Sequence, residues 1–210
     1  GNIGVVAARK GVGKTACLVH LAVDQLIQGR SIIHVSFADN ADHVVAWYDD
    51  IFAELSRRFD LESARQVHDE AVRHRIIMNF TQDGLHITGI RNSVRSMIDN
   101  SGLRPHAIFV DGYDFSLSSV DEIREFRSFA RELGVEVWFS ASLRRSAPPV
   151  GTMSVPEELK QLVGELDVVI RLRPAGDLIE LTLVKDHERT RIPETHLKLD
   201  AGSLLIVEED

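Results

Sequence analysis

Apolar residues follow two rhythms along this chain, and the alternation between them predicts its elements. The runs Ile3-Gly4-Val5-Val6-Ala7, Ser31-Ile32-Ile33-His34-Val35-Ser36-Phe37, Ala107-Ile108-Phe109-Val110-Asp111 and Val135-Glu136-Val137-Trp138-Phe139-Ser140 are short and nearly continuous, as expected of strands covered on both faces. Between them the apolar positions take helical spacing. Ala16, Leu18, Val19, Leu21, Ala22, Val23, Leu26 and Ile27 predict a first helix that Gly29 terminates. Helices over 42–59 and 61–74 follow, the first carrying Val44, Val45, Trp47, Ile51, Phe52 and Leu55, and 75–80 reads as a short strand. Thr88 is expected to cap a helix bearing Ile90, Val94, Met97 and Ile98, with Gly102 just beyond its end. Ser119 and Glu122 have capping-box spacing ahead of Ile123, Phe126, Phe129, Ala130 and Leu133, and Gly134 closes that helix.

The later third changes character. Residues 144–156, rich in Pro, Gly and Ser, read as a loop and 157–163 as a short helix. Strands are predicted over 167–173 and 178–185, joined through Pro174-Ala175-Gly176-Asp177, and Leu197, Leu199, Leu204 and Ile206 alternate in two final strands. Strand–helix units followed by a run of strands imply an α/β fold. Its central sheet is expected to be mainly parallel and flanked by helices, with antiparallel edge strands at the C-terminal end. With 210 residues, 44% of them hydrophobic, a single domain over 1–210 can bury a sufficient core. The sequence carries no internal repeat and no low-complexity linker.

The junction between the first strand and first helix carries the candidate chemistry. Ala8-Arg9-Lys10-Gly11-Val12-Gly13-Lys14-Thr15 matches the phosphate-binding pattern G-x-x-x-x-G-K-[ST], with Ala8 in place of its first glycine. Gly11 and Gly13 let the backbone curl so that its amides face phosphate oxygens, which a side chain at Gly13 would obstruct. Lys14 would place a positive charge on the β- and γ-phosphates, the Thr15 hydroxyl would ligate Mg²⁺, and the helix opening at Ala16 adds its dipole. Residues 8–16 are therefore the expected nucleotide-binding segment, and Lys14 its catalytic cation. Four apolar residues ending in Asp111 form a second element of such sites, whose carboxylate holds Mg²⁺ directly or through water. Asp111 would lie beside the loop if its strand neighbours the first; Asp114 reads as a turn carboxylate.

Composition narrows the alternatives. No apolar stretch approaches the roughly 20 residues that cross a bilayer, and charges and glycines enter too early for a signal peptide, so a cytoplasmic protein without a membrane partner is expected. Cys17 is the only cysteine, which excludes an intrachain disulfide and a cysteine-rich zinc site. Nine histidines lie scattered without H-E-x-x-H spacing. A formal charge of −8 argues against a surface that coats polyanions indiscriminately.

Taken together these residues resemble the ATPase domain of the RecA superfamily, most closely that of DnaB-type replicative helicases. Residues 7–16 are similar to its phosphate loop, with Lys10 where proline is common. Val35-Ser36-Phe37-Ala38 is similar to its second-strand ending, Ile108 to Asp111 to its magnesium strand, and Phe139-Ser140-Ala141 to its sensor strand. Leu166-Asp167-Val168-Val169-Ile170 and Leu183-Val184-Lys185-Asp186-His187 are similar to its late strands. The resemblance implies ATP and Mg²⁺ as cofactors, ATP or ADP as ligand, and a homo-oligomer or a protein partner.

Three departures set the functional expectation. Where the resemblance implies a glutamate that activates water, the chain has Ala38, with Asp39 following as the substitute; where it implies a polar sensor glutamine, the chain has Ala141; and in the lysine–x–arginine element that reaches a neighbouring subunit, Lys185 stays but His187 replaces the arginine. Arg189 or Arg191 could take that arginine's place, although a solvated hairpin charge is the simpler reading. Losing a general base costs about 10²- to 10⁴-fold in rate, and losing an arginine finger about 10³- to 10⁵-fold. The loops that face nucleic acid in such proteins correspond to 113–119, which has no basic residue, and 144–155, which offers mainly Arg144 and Arg145, few cations for a phosphate backbone. The chain starts at its first strand, so the accessory N-terminal domain of a full replicative helicase is not expected. The leading expectation is an ATP-binding protein with slow or partner-stimulated hydrolysis, carried by Lys14, Asp39 and Asp111, in a regulatory or assembly role. The alternatives are a DNA-dependent motor, a positioning switch resembling the ParA and MinD group, in which Arg9 stands at the signature-lysine position, and a scaffold that keeps the loop as a relic.

Overall fold

Strand β1 (Ile3–Ala8) is buried along its whole length, which requires layers on both sides of the sheet that contains it. In the computed structural model, described for residues 1–37, 41–59, 64–81, 86–144, 154–189, 197–200, 202–203 and 205–208, those layers are helical. Following β1 come α1 (Lys14–Ile27), β2 (Ile32–Ser36), α2 (Ala41–Phe59), α3 (Ala64–Arg73), β3 (Arg75–Asn79) and α4 (Ile87–Ser101). The chain continues through β4 (Ala107–Asp111), α5 (Val120–Leu133), β5 (Glu136–Ser142), β6 (Val168–Ala175), β7 (Leu178–Asp186), β8 (Leu197–Asp200) and β9 (Ile206–Glu208). All nine strands join one sheet in the order β3-β2-β4-β5-β1-β6-β7-β8-β9. The first six strands of that order are parallel, and β7, β8 and β9 add antiparallel. The fold expected from the sequence is the fold observed.

Side-chain alternation along the strands divides the core in two. Val5, Ala7, Ile33, Val35, Ile108 and Val110 point to one face, where α4 (Ile90, Val94) and α5 (Ile123, Phe126) cover them. Val6, Ala8, Ile32, Ala107 and Phe109 point to the other, under α1 (Leu18, Val19, Ala22) and α2 (Val44, Tyr48, Ile51). The capping box forms as expected at the start of α5, with Ser119 accepting from the Glu122 amide and Glu122 accepting from that of Ser119.

Three local expectations are corrected. Helix α4 starts one residue before Thr88, at Ile87, with His86 as its N-cap and no side-chain cap; Ile87 is buried, so core packing sets the start in place of capping chemistry. Residues 157–163 belong to a longer 3-10 helix, Glu157–Glu165, whose buried residues Leu159 and Leu162 are three apart, the spacing that eclipses side chains in that helix. The hairpin turn is Gly176-Asp177 alone, because Ala175 already pairs with Leu178 and Pro174 with Ile179.

Candidate functional site

The loop from β1 into α1 is shaped by its glycines. Gly13 has φ +90°, and a Cβ there would stand 3.1 Å from Ile179 Cδ1 and 3.2 Å from Leu199 Cδ2, so conformation and the packing of β7 and β8 both exclude a side chain. Gly11, at φ +83°, has open space around it; only its conformation demands glycine. Helix α1 begins at Lys14 with no side-chain cap and no acidic residue in its first turn, which leaves its first amides available to an anion.

The side chains around this helix start converge. Thr15 Oγ1 donates to Asp111 Oδ2 at 2.8 Å, across from β4, and Ser140 Oγ on β5 donates to Asp111 Oδ1 at 2.6 Å. The Gly112 amide in turn donates to Ser140 Oγ at 2.8 Å. Gly112 leaves the strand at φ +82°, with a would-be Cβ 3.4 Å from Phe37 Cβ, and the Phe37 amide donates to the Asp111 carbonyl. Adjacency of β4 and β1, the condition the sequence sets for bringing Asp111 to the loop, is not met: β5 lies between them. Asp111 reaches Thr15 all the same, and β5 contributes Ser140. Lys14 Nζ donates to the Arg9 carbonyl at 3.2 Å. Burial holds its pKa below the usual lysine value, the Asp111 carboxylate opposes that shift and Lys10 adds to it. Arg9 and Lys10 are exposed and have no acidic partner among the described residues.

Beneath this corner the sheet carries a buried histidine. His34 Nδ1 bonds the Tyr48 hydroxyl of α2 at 2.9 Å, its ring stacks 6.4 Å from Phe109, and its Nε2 has no partner among the described residues. Burial pushes its pKa down to about 4, with Asp111 opposing and Arg75 reinforcing the shift.

Other predicted residues separate from this corner. Ala38 and Asp39 lie outside the described residues, as do Arg145 and Arg191. Lys185 donates its Nζ to the carbonyls of Val163, at 2.7 Å, and Leu166. His187 sits at φ +51° and bonds Asp186 and Asn2, while Arg189 pairs with Asp186 at 2.7 Å. Asp114 Oδ1 accepts from the Ser116 amide at 2.9 Å, the turn role expected of it. Sequence reasoning misses Ser140 and His34; each is a polar residue inside an otherwise apolar strand, and that is the available signal. Among the described residues no three His, Cys, Asp or Glu side chains gather as a metal cluster, and no helix is long and apolar enough to cross a membrane.

No family model and no curated protein matches the sequence. Solved structures do match. An ATPase domain of the DnaB-like helicase type has a TM-score of 0.69 and 16% identity, covering 100% of this chain and 85% of that one. A DnaB-like replicative helicase, solved in a study of its interactions with primase, has a TM-score of 0.71 and 17% identity, covering 100% of this chain; this chain spans only 57% of its length. Such identities establish architecture, and the chain accordingly has the RecA-like P-loop ATPase fold of DnaB-type helicase domains.

Proposed function

We propose that the chain binds ATP with Mg²⁺ at the corner formed by residues 8–16 and Asp111, and hydrolyses it slowly or under stimulation by a partner, as a regulatory or assembly ATPase. The observation that carries the proposal is the hydrogen bond of 2.8 Å between Thr15 and Asp111, which joins the two halves expected of a magnesium–phosphate site. A hydroxyl and a carboxylate are ligands suited to a hard cation, and Thr15 and Asp111 would hold the magnesium ion. When bound, that ion neutralises charge between the β- and γ-phosphates.

The chain's own residues supply the rest. The glycine-turned loop and first amides of α1 cradle the phosphates, and Lys14 exchanges its Arg9 carbonyl for phosphate oxygen. Slow turnover follows from Ala38 and His187 standing where the resemblance puts a water-activating glutamate and an arginine, with Asp39 as the substitute base. A second copy of the chain or another protein is the proposed stimulating partner. Nucleic acid is less favoured, because residues 113–119 carry no cation.

Thermal unfolding with ATP, ADP and GTP, each with Mg²⁺, tests the binding. Nucleotide at about 1,000 times its dissociation constant adds about 4.1 kcal/mol of stability, and Lys14→Ala removes that gain. No stabilisation by any nucleotide would reject the reading. Turnover fast enough for a motor and raised by single-stranded DNA would replace it with the motor reading.

A further inference from the structure

We infer that Ser140 is a positioning residue: its hydroxyl fixes the plane of the Asp111 carboxylate, and thereby sets the affinity of the corner for magnesium. This rests on the magnesium–ATP reading and adds to it a residue that contacts neither nucleotide nor metal. The terminal torsion of an aspartate is broad, so rotamer preference alone does not orient its oxygens. Here each oxygen has its own partner, Thr15 on Oδ2 and Ser140 on Oδ1.

The direction of the Ser140 bond is determined by a neighbour. The Gly112 amide can only donate, and it donates to Ser140 Oγ, so the hydroxyl proton is left for Asp111 Oδ1, an acceptor when ionised. That arrangement depends on Gly112 leaving β4 at φ +82°, a conformation that favours glycine. Ser140 itself is 1% exposed and Asp111 8% exposed, so water is a poor substitute for either bond. Oδ2, the oxygen that meets Thr15, stays directed at the helix start where the ion would sit. Ala141, at the position where the resemblance has its polar sensor, has no donor to offer; the neighbouring serine ties this strand to the site instead.

Residues that orient a metal ligand typically change metal affinity by about 10- to 100-fold when removed. The experiment titrates Mg²⁺ against the full chain with a fluorescent ATP analogue and repeats the binding in EDTA. Ser140→Ala is expected to raise the half-saturating Mg²⁺ by about 10- to 100-fold while leaving metal-free nucleotide affinity as in wild type. Ser140→Thr, which keeps the hydroxyl, restores the Mg²⁺ requirement. Where the alanine variant fails to fold, Ser140→Cys, with a weaker donor of similar size, must fall on the weak side of wild type in the same titration. An unchanged Mg²⁺ requirement, or equal losses with and without metal, overturns the role of Ser140 alone. A wild-type chain that binds no nucleotide in either condition overturns the reading beneath it as well.

Discussion

The phosphate corner and the far end of β6 and β7 are both rich in charge, and they use it in opposite ways. At the corner, Lys14 is engaged only by the Arg9 carbonyl among the described residues, and Arg9 and Lys10 have no acidic partner there. At the far end the cations are already committed: Lys185 to the carbonyls of Val163 and Leu166, Arg127 to Asp167, and Arg189 to Asp186. Asp167 also accepts from the Ile3 amide at 2.8 Å, so this cluster fastens the start of β1 to α5. An unmatched cation cluster is ready for an anion from outside, whereas a matched one holds the chain together. The difference supports intrinsic nucleotide binding and gives no free cation at Lys185 for a neighbouring subunit's phosphate.

Acid should separate the two regions most strongly. His34, on the floor of the corner, has its pKa lowered from 6.5 to about 4, so between those values the unfolded chain binds the extra proton. Stability from this residue is therefore complete above about pH 6.5 and is lost as pH falls toward 4, a difference on the order of 3 kcal/mol. Denaturant unfolding at neutral pH and near the lower end of that window measures it. His34→Asn, which can keep a bond to Tyr48 without titrating, should flatten the dependence; an acid loss that persists undiminished in the variant would move its origin elsewhere, to the ionic far end among other places.

Lys185 gives the next largest effect and the sharpest contrast. Lys185→Met keeps the aliphatic stem and removes a charged donor to two carbonyls, costing about 2 kcal/mol, while ATP turnover per folded molecule stays as in wild type. A cation that acted on a neighbour's phosphate would instead cost about 10³- to 10⁵-fold in rate. Such a loss, seen in steady-state turnover at unchanged nucleotide affinity, would show that the in-chain bonds yield on assembly.

What can be read from the sequence is local. The buried strands, Gly11 and Gly13, the Ser119–Glu122 box and the terminal glycines Gly102 and Gly134 declare themselves within a few residues, because backbone conformation and capping are short-range. The insertion of β5 between β1 and β4 is not local, and no spacing in the sequence encodes it. It is nevertheless what brings Ser140 to Asp111, residues 29 apart in the chain. Lys185 misleads for a related reason: its partners are backbone carbonyls, which every residue has and no motif marks. The cap of α4 falls at His86 and not at Thr88 because Ile87 packs into the core, and burial outweighs the capping preference of threonine.

The smallest effect tests whether the far end can be weakened without touching the corner. Ser119 caps α5, the helix that carries Arg124 and Arg127 into the ionic cluster with Glu165 and Asp167. The bonds from Ser119 also hold the Glu122 carboxyl below the usual carboxylate range, so the cap and the first-turn charge support one another. Ser119→Ala removes the side-chain half of the box and should cost about 1 kcal/mol, read as a lowered midpoint in denaturant. Nucleotide affinity should stay constant, since α5 lies on the face of the sheet opposite α1. A parallel fall in ATP affinity would mean that α5 and the phosphate loop move as one unit through β5, and the contrast between a binding corner and a structural end would have to be redrawn as a single coupled element.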